Sequence, residues 1–484
     1  MTSFSVPWLE LCVFVPLIGA LCVGWIRDPI AALRACLGFT GLTLSCSLMV
    51  LVGQATGESP NGASEWDILP RVLGIRVLEV DAFSGPLLPL VALLHLLTAL
   101  ATARTKMARF SFAWMLGGES LRLAAFGCIA PWILIGLLAT GTILTYTELI
   151  RREKPARIYA LHMGLFVLFL AGGWACIDPR LPIHAEGLGS ALLLMAVLIR
   201  SATVPFHTWV TDLFQHASFG IALLFVTPIA GAYVAVRLVF PVAPDWVLQA
   251  ISLFSLVTAC YAAGMAVVQT DVRRFFAFLF LSHASLVLVG LELLTTISLT
   301  GALYMWLSAA LSLSGLGLTL RALEARFGRL SMDRFRGLYD HSPALAVCFL
   351  LTGLGSVGFP GTLGFVAAEL RIDAVIAAKP TIGLAMVLAA AVNGIAVIRA
   401  YFLIFKGGRH TSSVSLAATR RERLAVLTLA VLILGGGLAP QPGVASRYRA
   451  AERILEERSR RRTDQSFSHS REAENVDHSH PSSI

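Results

Sequence analysis

Long apolar runs alternate with short polar stretches along almost the whole chain. A helix needs about 20 apolar residues to cross the hydrocarbon core of a bilayer. Runs of that kind lie near 6–26, 31–52, 83–103, 110–127, 129–149, 158–177, 188–204, 219–239, 246–267, 275–291, 297–320, 344–377, 382–405 and 424–440. The pattern predicts an all-α integral membrane protein of about 14 transmembrane helices. Two runs do not read as straight helices. Pro205 follows the seventh run closely after Arg200, and Pro360-Gly361 interrupts the twelfth. Proline removes a backbone donor and clashes with the preceding turn, so both helices should be discontinuous. The breaks stand five spans apart. An odd-numbered unit reverses its direction across the membrane, so two inverted five-helix repeats are expected. The expected organisation is helices 1–3 with an outer loop over 1–109, a first repeat over 110–240 and a second over 241–405. A last spanning helix over 406–440 and a polar tail over 441–484 follow.

The loops between the runs are of two kinds. Arg104, Lys106 and Arg109 fall in one; Arg151, Arg152, Lys154 and Arg157 in another. Arg273 and Arg274, then Arg321, Arg326, Arg329, Arg334 and Arg336, then Lys406, Arg409, Arg420 and Arg421 continue the series. Threaded through fourteen spans, these loops share one side, which the positive-inside rule assigns to the cytoplasm. The tail then lies outside, despite Arg458, Arg460, Arg461 and Arg462. It is expected to be disordered beyond a short helix near 446–460, with His478 and His480 solvated. In the long loop 54–80, the alternation from Ile75 to Val80 predicts a short strand and a small outer hairpin.

Composition agrees. The chain is 56% hydrophobic and 14% charged, with a mean hydropathy of +0.76, which excludes a soluble domain of this size. Its net charge of +9 is gathered in loops, as for a membrane surface and not for nucleic acid. Residues 1–7 lack a basic leader segment, and Arg27 and Arg34 follow the first run, so a retained first helix is expected. The eight Cys are mostly inside apolar segments without C-x-x-C spacing and read as small hydrophobes. There is no Walker A, H-E-x-x-H or G-x-S-x-G signature and no cytosolic catalytic domain.

An ionisable side chain deep in the membrane is costly, so each is a candidate for function. Arg200 stands at the first break with His207 just beyond it. Freed backbone groups beside a cation suit an ion path; equally, Arg200 marks a span end and snorkels to the interface. His283 lies mid-run. Its ring can pass a proton between two nitrogens, or sit neutral against a carbonyl. Glu369 follows the second break, close in sequence to Arg371 and Asp373, and reads as a path residue or a helix-end carboxylate. Glu119 stands three residues before Arg122, a spacing for an intrahelical ion pair or a relay. Glu148, beside Arg151 and Arg152, reads as interfacial.

These residues carry a resemblance. Val204-Pro205-Phe206-His207-Thr208-Trp209-Val210-Thr211-Asp212 resembles the P-x-H-x-W-L-P-D signature of the antiporter-like membrane subunits of respiratory complex I. Gln269-Thr270-Asp271-Val272-Arg273-Arg274 with Ser282-His283 is similar to that family's Q-x-D-[IV]-K-R and S-H. Gly358-Phe359-Pro360-Gly361-Thr362 with Phe365 resembles its broken-helix motif, and Val80-Asp81-Ala82-Phe83-Ser84 its V-D-G-[IL]-S. Arg157-Ile158-Tyr159-Ala160 fits the start of its sixth helix. The resemblance covers about 75–405, and subunit M (chain 4) looks nearest. It implies fourteen helices with inverted repeats over spans 4–8 and 9–13, a proton half-channel in each, and buried charges linking them. The family's seventh-helix lysine aligns with Arg200, its tenth-helix histidine with His283, and its twelfth-helix charge with Ala368 or Glu369. Elsewhere the chain departs: Ala139 stands for the glutamate that pairs with the lysine, Ile229 for the eighth-helix lysine, and the uncharged Ala309–Leu313 for the eleventh-helix cation. Arginine does not release its proton as lysine does.

The resemblance implies a membrane-arm subunit of an NADH:quinone oxidoreductase-like complex that couples quinone reduction to proton translocation. No cofactor is expected in this chain: flavin, iron–sulfur clusters and quinone would belong to other subunits. Expected partners are other membrane-arm subunits, lipid, and protons or cations, in a bacterial inner membrane. The rival readings are a subunit of a cation/proton antiporter or ion-coupled uptake system, and a scaffold that no longer conducts. A multi-pass membrane enzyme is more remote.

Overall fold

The computed structural model describes residues 6–56, 70, 74, 76–181, 185–408 and 417–477. The chain is built from helices: α1 (Trp8–Trp25), α2 (Pro29–Thr56), α3 (Leu87–Leu100), α4 (Phe112–Gly127), α5 (Pro131–Arg151) and α6 (Arg157–Ile177). Next come α7 (Glu186–Arg200), α8 (Thr208–His216), α9 (Phe219–Val226), α10 (Ala230–Val234), α11 (Asp245–Val268), α12 (Val272–Leu288) and α13 (Thr296–Phe327). The last are α14 (Pro343–Ser356), α15 (Leu363–Ala378), α16 (Pro380–Phe405), α17 (Arg420–Leu438) and α18 (Gln441–Asp477).

Local chemistry sets the starts of these helices. Proline opens α2, α5, α14 and α16, where its fixed φ suits the first turn and its missing N–H costs nothing. Side-chain oxygens of Ser111, Ser218, Asp271, Thr295 and Thr362 accept the free N–H groups of α4, α9, α12, α13 and α15. Thr419 and Glu422 form a reciprocal capping box at α17.

The expected spans resolve into intact, broken and short helices. Among the described residues, nine stretches are long and apolar enough to cross a membrane by themselves, against about fourteen spans expected. The difference lies in elements such as α3, α4, α7, α14 and α15, which are shorter or interrupted. The breaks predicted at Pro205 and Pro360-Gly361 separate α7 from α8 and α14 from α15. Gly358 and Gly361 take φ of 80° and 85° there, a backbone that suits glycine. A third interruption was not anticipated. The 219–239 run is interrupted at Pro228, where Ile229 adopts φ 49°, and ends in a π turn over Ala235–Val239.

Burial separates a centre from a rim. The apolar windows of α12 and α13 are 89% and 94% buried, whereas those of α5, α6 and α16 are 33% buried. Leu21, Leu168 and Val431 point outward, as lipid-facing side chains do.

The tail departs from expectation. It is helical over Gln441–Asp477 and turns 80° from α17. Arg447, Ala450, Ala451, Ile454 and Arg458 recur at helical spacing and are all buried, so the tail has an inner face to pack. That face lies at the end of the bundle opposite the basic loops. Arg447 donates to Phe83 O and Ala82 O ahead of α3, and Arg458 to Phe240 O, Ala243 O and Asp245. His478 and His480 lie outside the described residues.

So does most of loop 54–80. Its described end does not pair within the loop: Glu79 N donates to Gly127 O at 2.8 Å and Ile129 N to Val77 O at 3.2 Å. The alternation near Val80 therefore serves a single antiparallel bridge, Leu78 to Cys128. All eight Cys are free.

Candidate ion-translocation site

Arg200 ends α7 because the chain turns abruptly over Ser201–His207. Ala202 takes φ 55° and the Val204–Pro205 peptide is cis. The carbonyls released by the break find new donors. Thr203 Oγ1 donates to Leu198 O at 3.0 Å and Trp209 Nε1 to Ile199 O at 2.9 Å. Val204 N donates to Thr258 Oγ1 of α11 at 2.9 Å. Gly231 of α10 closes against the turn; a Cβ there would lie 2.3 Å from Ser201 Oγ and 2.9 Å from Ser201 backbone.

The Arg200 side chain is buried and stays in the bundle. Its guanidinium carbon lies 4.5 Å from the Phe225 ring centre and 5.6 Å from that of Trp209. Among the described residues no carboxylate lies within 4 Å of it. It lines a cavity of about 40 Å³ with Arg122, Leu137, Leu138 and Phe225. Leu138 is followed by Ala139, which offers Arg200 no charge.

Arg122 is a site residue that sequence reading used only as a partner for Glu119. That pair does not form. Arg122 lies back over Gly118 and its Nη1 reaches His95 Nε2 at 3.1 Å. His95 Nδ1 faces Val91 O at 2.8 Å. Because guanidinium only donates, His95 must accept at Nε2 and carry its proton on Nδ1. Glu119 is fully buried, and neither of its carboxyl oxygens has a hydrogen-bond partner. His207 lies at the first break but is directed to α11 and α12, with Tyr261 at 5.3 Å and Phe278 at 6.2 Å between ring centres.

His283 serves the second break. It is buried; Nδ1 faces Leu279 O at 2.9 Å and Nε2 faces Ser356 O, the last residue of α14, at 2.8 Å. A neutral ring has one N–H for these two acceptors, while a protonated ring satisfies both. The break thus meets a group that can hold a proton on either side. Polar atoms continue around it: Asn393 Nδ2 donates to Ser282 Oγ at 2.8 Å, and Ser282 Oγ to Ala259 O at 2.9 Å. Ser308 and Ser312, one turn apart on α13, are buried without hydrogen-bond partners for their hydroxyls. Ser308 immediately precedes the uncharged stretch Ala309–Leu313 and Ser312 lies within it, and their i,i+4 spacing is the signal that marks them.

Glu369 does not join this group. It is exposed on α15, as is Asp373, and neither pairs with Arg371. Arg371 is buried and donates instead to Leu286 O, while its Nε has no partner. The helical turn places 369 and 371 on different faces of α15. Glu148, read as interfacial, is buried and pairs with Arg152 at 2.9 Å. A further pair, partly buried, joins Arg237 to Asp81 at 2.6 Å and ties the π turn to the loop ahead of α3. No group of three or more His, Cys, Asp or Glu is placed to hold a metal among the described residues.

The chain resembles known proteins over nearly its full length. It is 27% identical to NADH-quinone oxidoreductase subunit M of Pseudomonas aeruginosa, covering 90% of this chain and 94% of that protein. It is 24% identical to NAD(P)H-quinone oxidoreductase chain 4 of Acaryochloris marina, covering 91% of each. In fold it superposes on a chain of respiratory complex I from Thermus thermophilus with a TM-score of 0.79 at 21% identity, covering 93% of this chain and 99% of that one. A chain of the Mrp complex from Dietzia gives 0.80 at 19%, covering 94% and 98%. Residues 159–393, which include both breaks, match the family described as NADH:quinone oxidoreductase/Mrp antiporter, transmembrane. The chain is a multi-pass membrane protein that resembles, over nearly its full length, the antiporter-like subunits shared by NADH:quinone oxidoreductase and the Mrp antiporter.

Proposed function

We propose that this protein is a membrane-arm subunit of an NADH:quinone oxidoreductase-like complex, where quinone reduction by other subunits drives proton movement through it. It performs no redox step itself. The observation that carries the proposal is the pair of interrupted helices, each ending beside a buried ionisable side chain: Arg200 at one and His283 at the other. Freed backbone in a membrane is tolerated where it lines a path. The nearly full-length likeness to subunit M supports the choice of complex.

The two repeats, 110–240 and 241–405, take unequal roles. In the first, Arg200 and Arg122 keep their protons and act as fixed charges around the cavity. In the second, His283 carries the proton between the carbonyls of Leu279 and Ser356, and buried Ser308, Ser312 and Asn393 offer hydrogen bonds to water along the way. Glu119 and His207 are secondary stations, and Glu369, on the outer face of α15, is placed to meet a neighbouring subunit. The basic loops face the cytoplasm, in a bacterial inner membrane.

The charge inventory of the first repeat favours one alternative, a subunit that has ceased to conduct and serves as scaffold. A cation/proton antiporter of the same fold is the other. Purification in mild detergent and identification of the accompanying subunits separates complex from antiporter: hydrophilic redox subunits support the first. Proton flux in liposomes decides conduction. His283→Ala should lower flux by about tenfold or more, and Arg200→Ala far less; equal low flux in native protein and both variants would overturn the conducting reading.

A further inference from the structure

A cavity of about 170 Å³ opens at the basic end of the bundle, lined by Lys106, Arg152, Arg273, Arg321, Glu324 and Ser218, among others. Its charges do not cancel. Arg273 is held by Glu324 through contacts of 2.5 and 2.7 Å, and Arg152 by Glu148 at 2.9 Å. The nearby Glu422 is committed to Arg326 at 2.5 Å. Lys106 and Arg321 are left, and neither has a carboxylate within 4 Å among the described residues.

A topology signal alone does not account for Arg321. Such signals need only exposed cations in loops. Arg321 instead lies on α13 inside the bundle, with its guanidinium carbon 4.8 Å from the Phe110 ring centre. Its Nη1 donates to Thr98 O at 2.9 Å and its Nη2 to Thr102 Oγ1 at 3.0 Å. Those bonds occupy two of the five N–H donors of a guanidinium. Gly220 of α9 makes the space: a Cβ there would sit 3.0 Å from Arg321 Cζ. A positioned guanidinium and an exposed lysine lining one cavity suit an oxyanion with several acceptor oxygens. Basic pockets between helices at the cytoplasmic surface are where lipid phosphates bind.

We propose that this cavity binds a phosphate-class anion, held by Arg321 and Lys106, either as the headgroup of an anionic lipid or as free phosphate. The chemistry of recognition is the same for both. Binding joins the turn Arg104–Arg109, which follows α3, to α13 through the anion.

The test uses the full chain, purified in mild detergent with the subunits that accompany it. Binding of phosphatidylglycerol, phosphatidylcholine and inorganic phosphate is measured by native mass spectrometry and by thermal melting. Native protein should retain phosphatidylglycerol over phosphatidylcholine, or should bind inorganic phosphate. Lys106→Gln and Arg321→Gln should each weaken that binding by about tenfold. Retention of phosphatidylglycerol that inorganic phosphate does not displace identifies a lipid; binding of phosphate alone identifies the free ion. Equal retention of both lipids with no phosphate binding, or unchanged binding in the variants, overturns the site. If Arg321→Gln does not fold, Lys106→Gln, at an exposed position, decides alone.

Discussion

At the scale of residues, this membrane protein is notable for how its arginines are used. Seven of the side chains that matter here (Arg122, Arg200, Arg237, Arg321, Arg371, Arg447 and Arg458) are turned into the bundle, and only some meet a carboxylate. Carbonyls at helix ends and aromatic faces take the place of the missing acids. Asp81 is the contrasting case, an acid that is fully matched. Burial alone would push its carboxyl up, but Arg237 and the bonds from Ser84 outweigh that and hold it below the ordinary carboxylate value. A group depressed in the folded state adds stability above its unfolded pKa and loses it as pH falls through the folded one. Asp81→Asn should therefore destabilise the protein by about 1–3 kcal/mol at neutral pH. The deficit relative to native protein should shrink as the pH is lowered below the carboxylate range. Thermal melting in detergent across pH checks both, and a pH-independent deficit would contradict the assignment.

At the scale of elements, proline and periodicity carried most of the information. Pro205 and Pro360 marked real breaks because a missing N–H acts locally, whatever surrounds it. Pro228 was an equally local signal, masked by the uniformly apolar run around it. Tertiary partners were less legible. The i,i+3 spacing of Glu119 and Arg122 allowed a pair, yet His95, 27 positions away, takes the guanidinium. The tail misled for a related reason. Its composition is polar, but a helix needs only one packable stripe, and Arg447 and Arg458 complete that stripe with their guanidinium groups on distant carbonyls. Arg458→Ala should free this helix: it removes contacts to Phe240, Ala243 and Asp245, at about 2–4 kcal/mol. Hydrogen exchange should rise over 441–463 in the variant while α13 stays protected. Unchanged exchange over the tail would show that Arg458 is not what holds it.

At the scale of the whole molecule, the two halves share a plan and differ in chemistry. Each has a broken helix, but one break meets a cation that keeps its proton and the other an imidazole that can pass one on. The all-helical membrane fold and its two breaks were readable because span length and proline position are matters of local sequence. Of the candidate site, the sequence marked the two buried ionisable side chains beside the breaks, Arg200 and His283. The serines on α13 and the Arg122–His95 pair depend on helices meeting in space. Supplying the first half with a titratable pair is a direct test of the asymmetry. Arg200→Lys combined with Ala139→Glu should raise proton flux in liposomes by about tenfold. Flux equal to that of native protein would mean that the first half lacks more than these two groups.

The buried arginines of α18 have a bearing on how the protein is made. Arg447 binds Phe83 across 364 positions of sequence, and Arg458 binds Phe240 across 218. Both targets belong to the earlier half of the chain, so they emerge from the ribosome long before their clasp exists. Until α18 is synthesised, the end of that half opposite the basic loops, with the π turn and the loop ahead of α3, stays unclasped. A chain that stops short of α18 would thus be weakened around Phe83 and Phe240, far in sequence from the cut. Quality control that senses the loop ahead of α3 would in effect be checking that α18 has arrived.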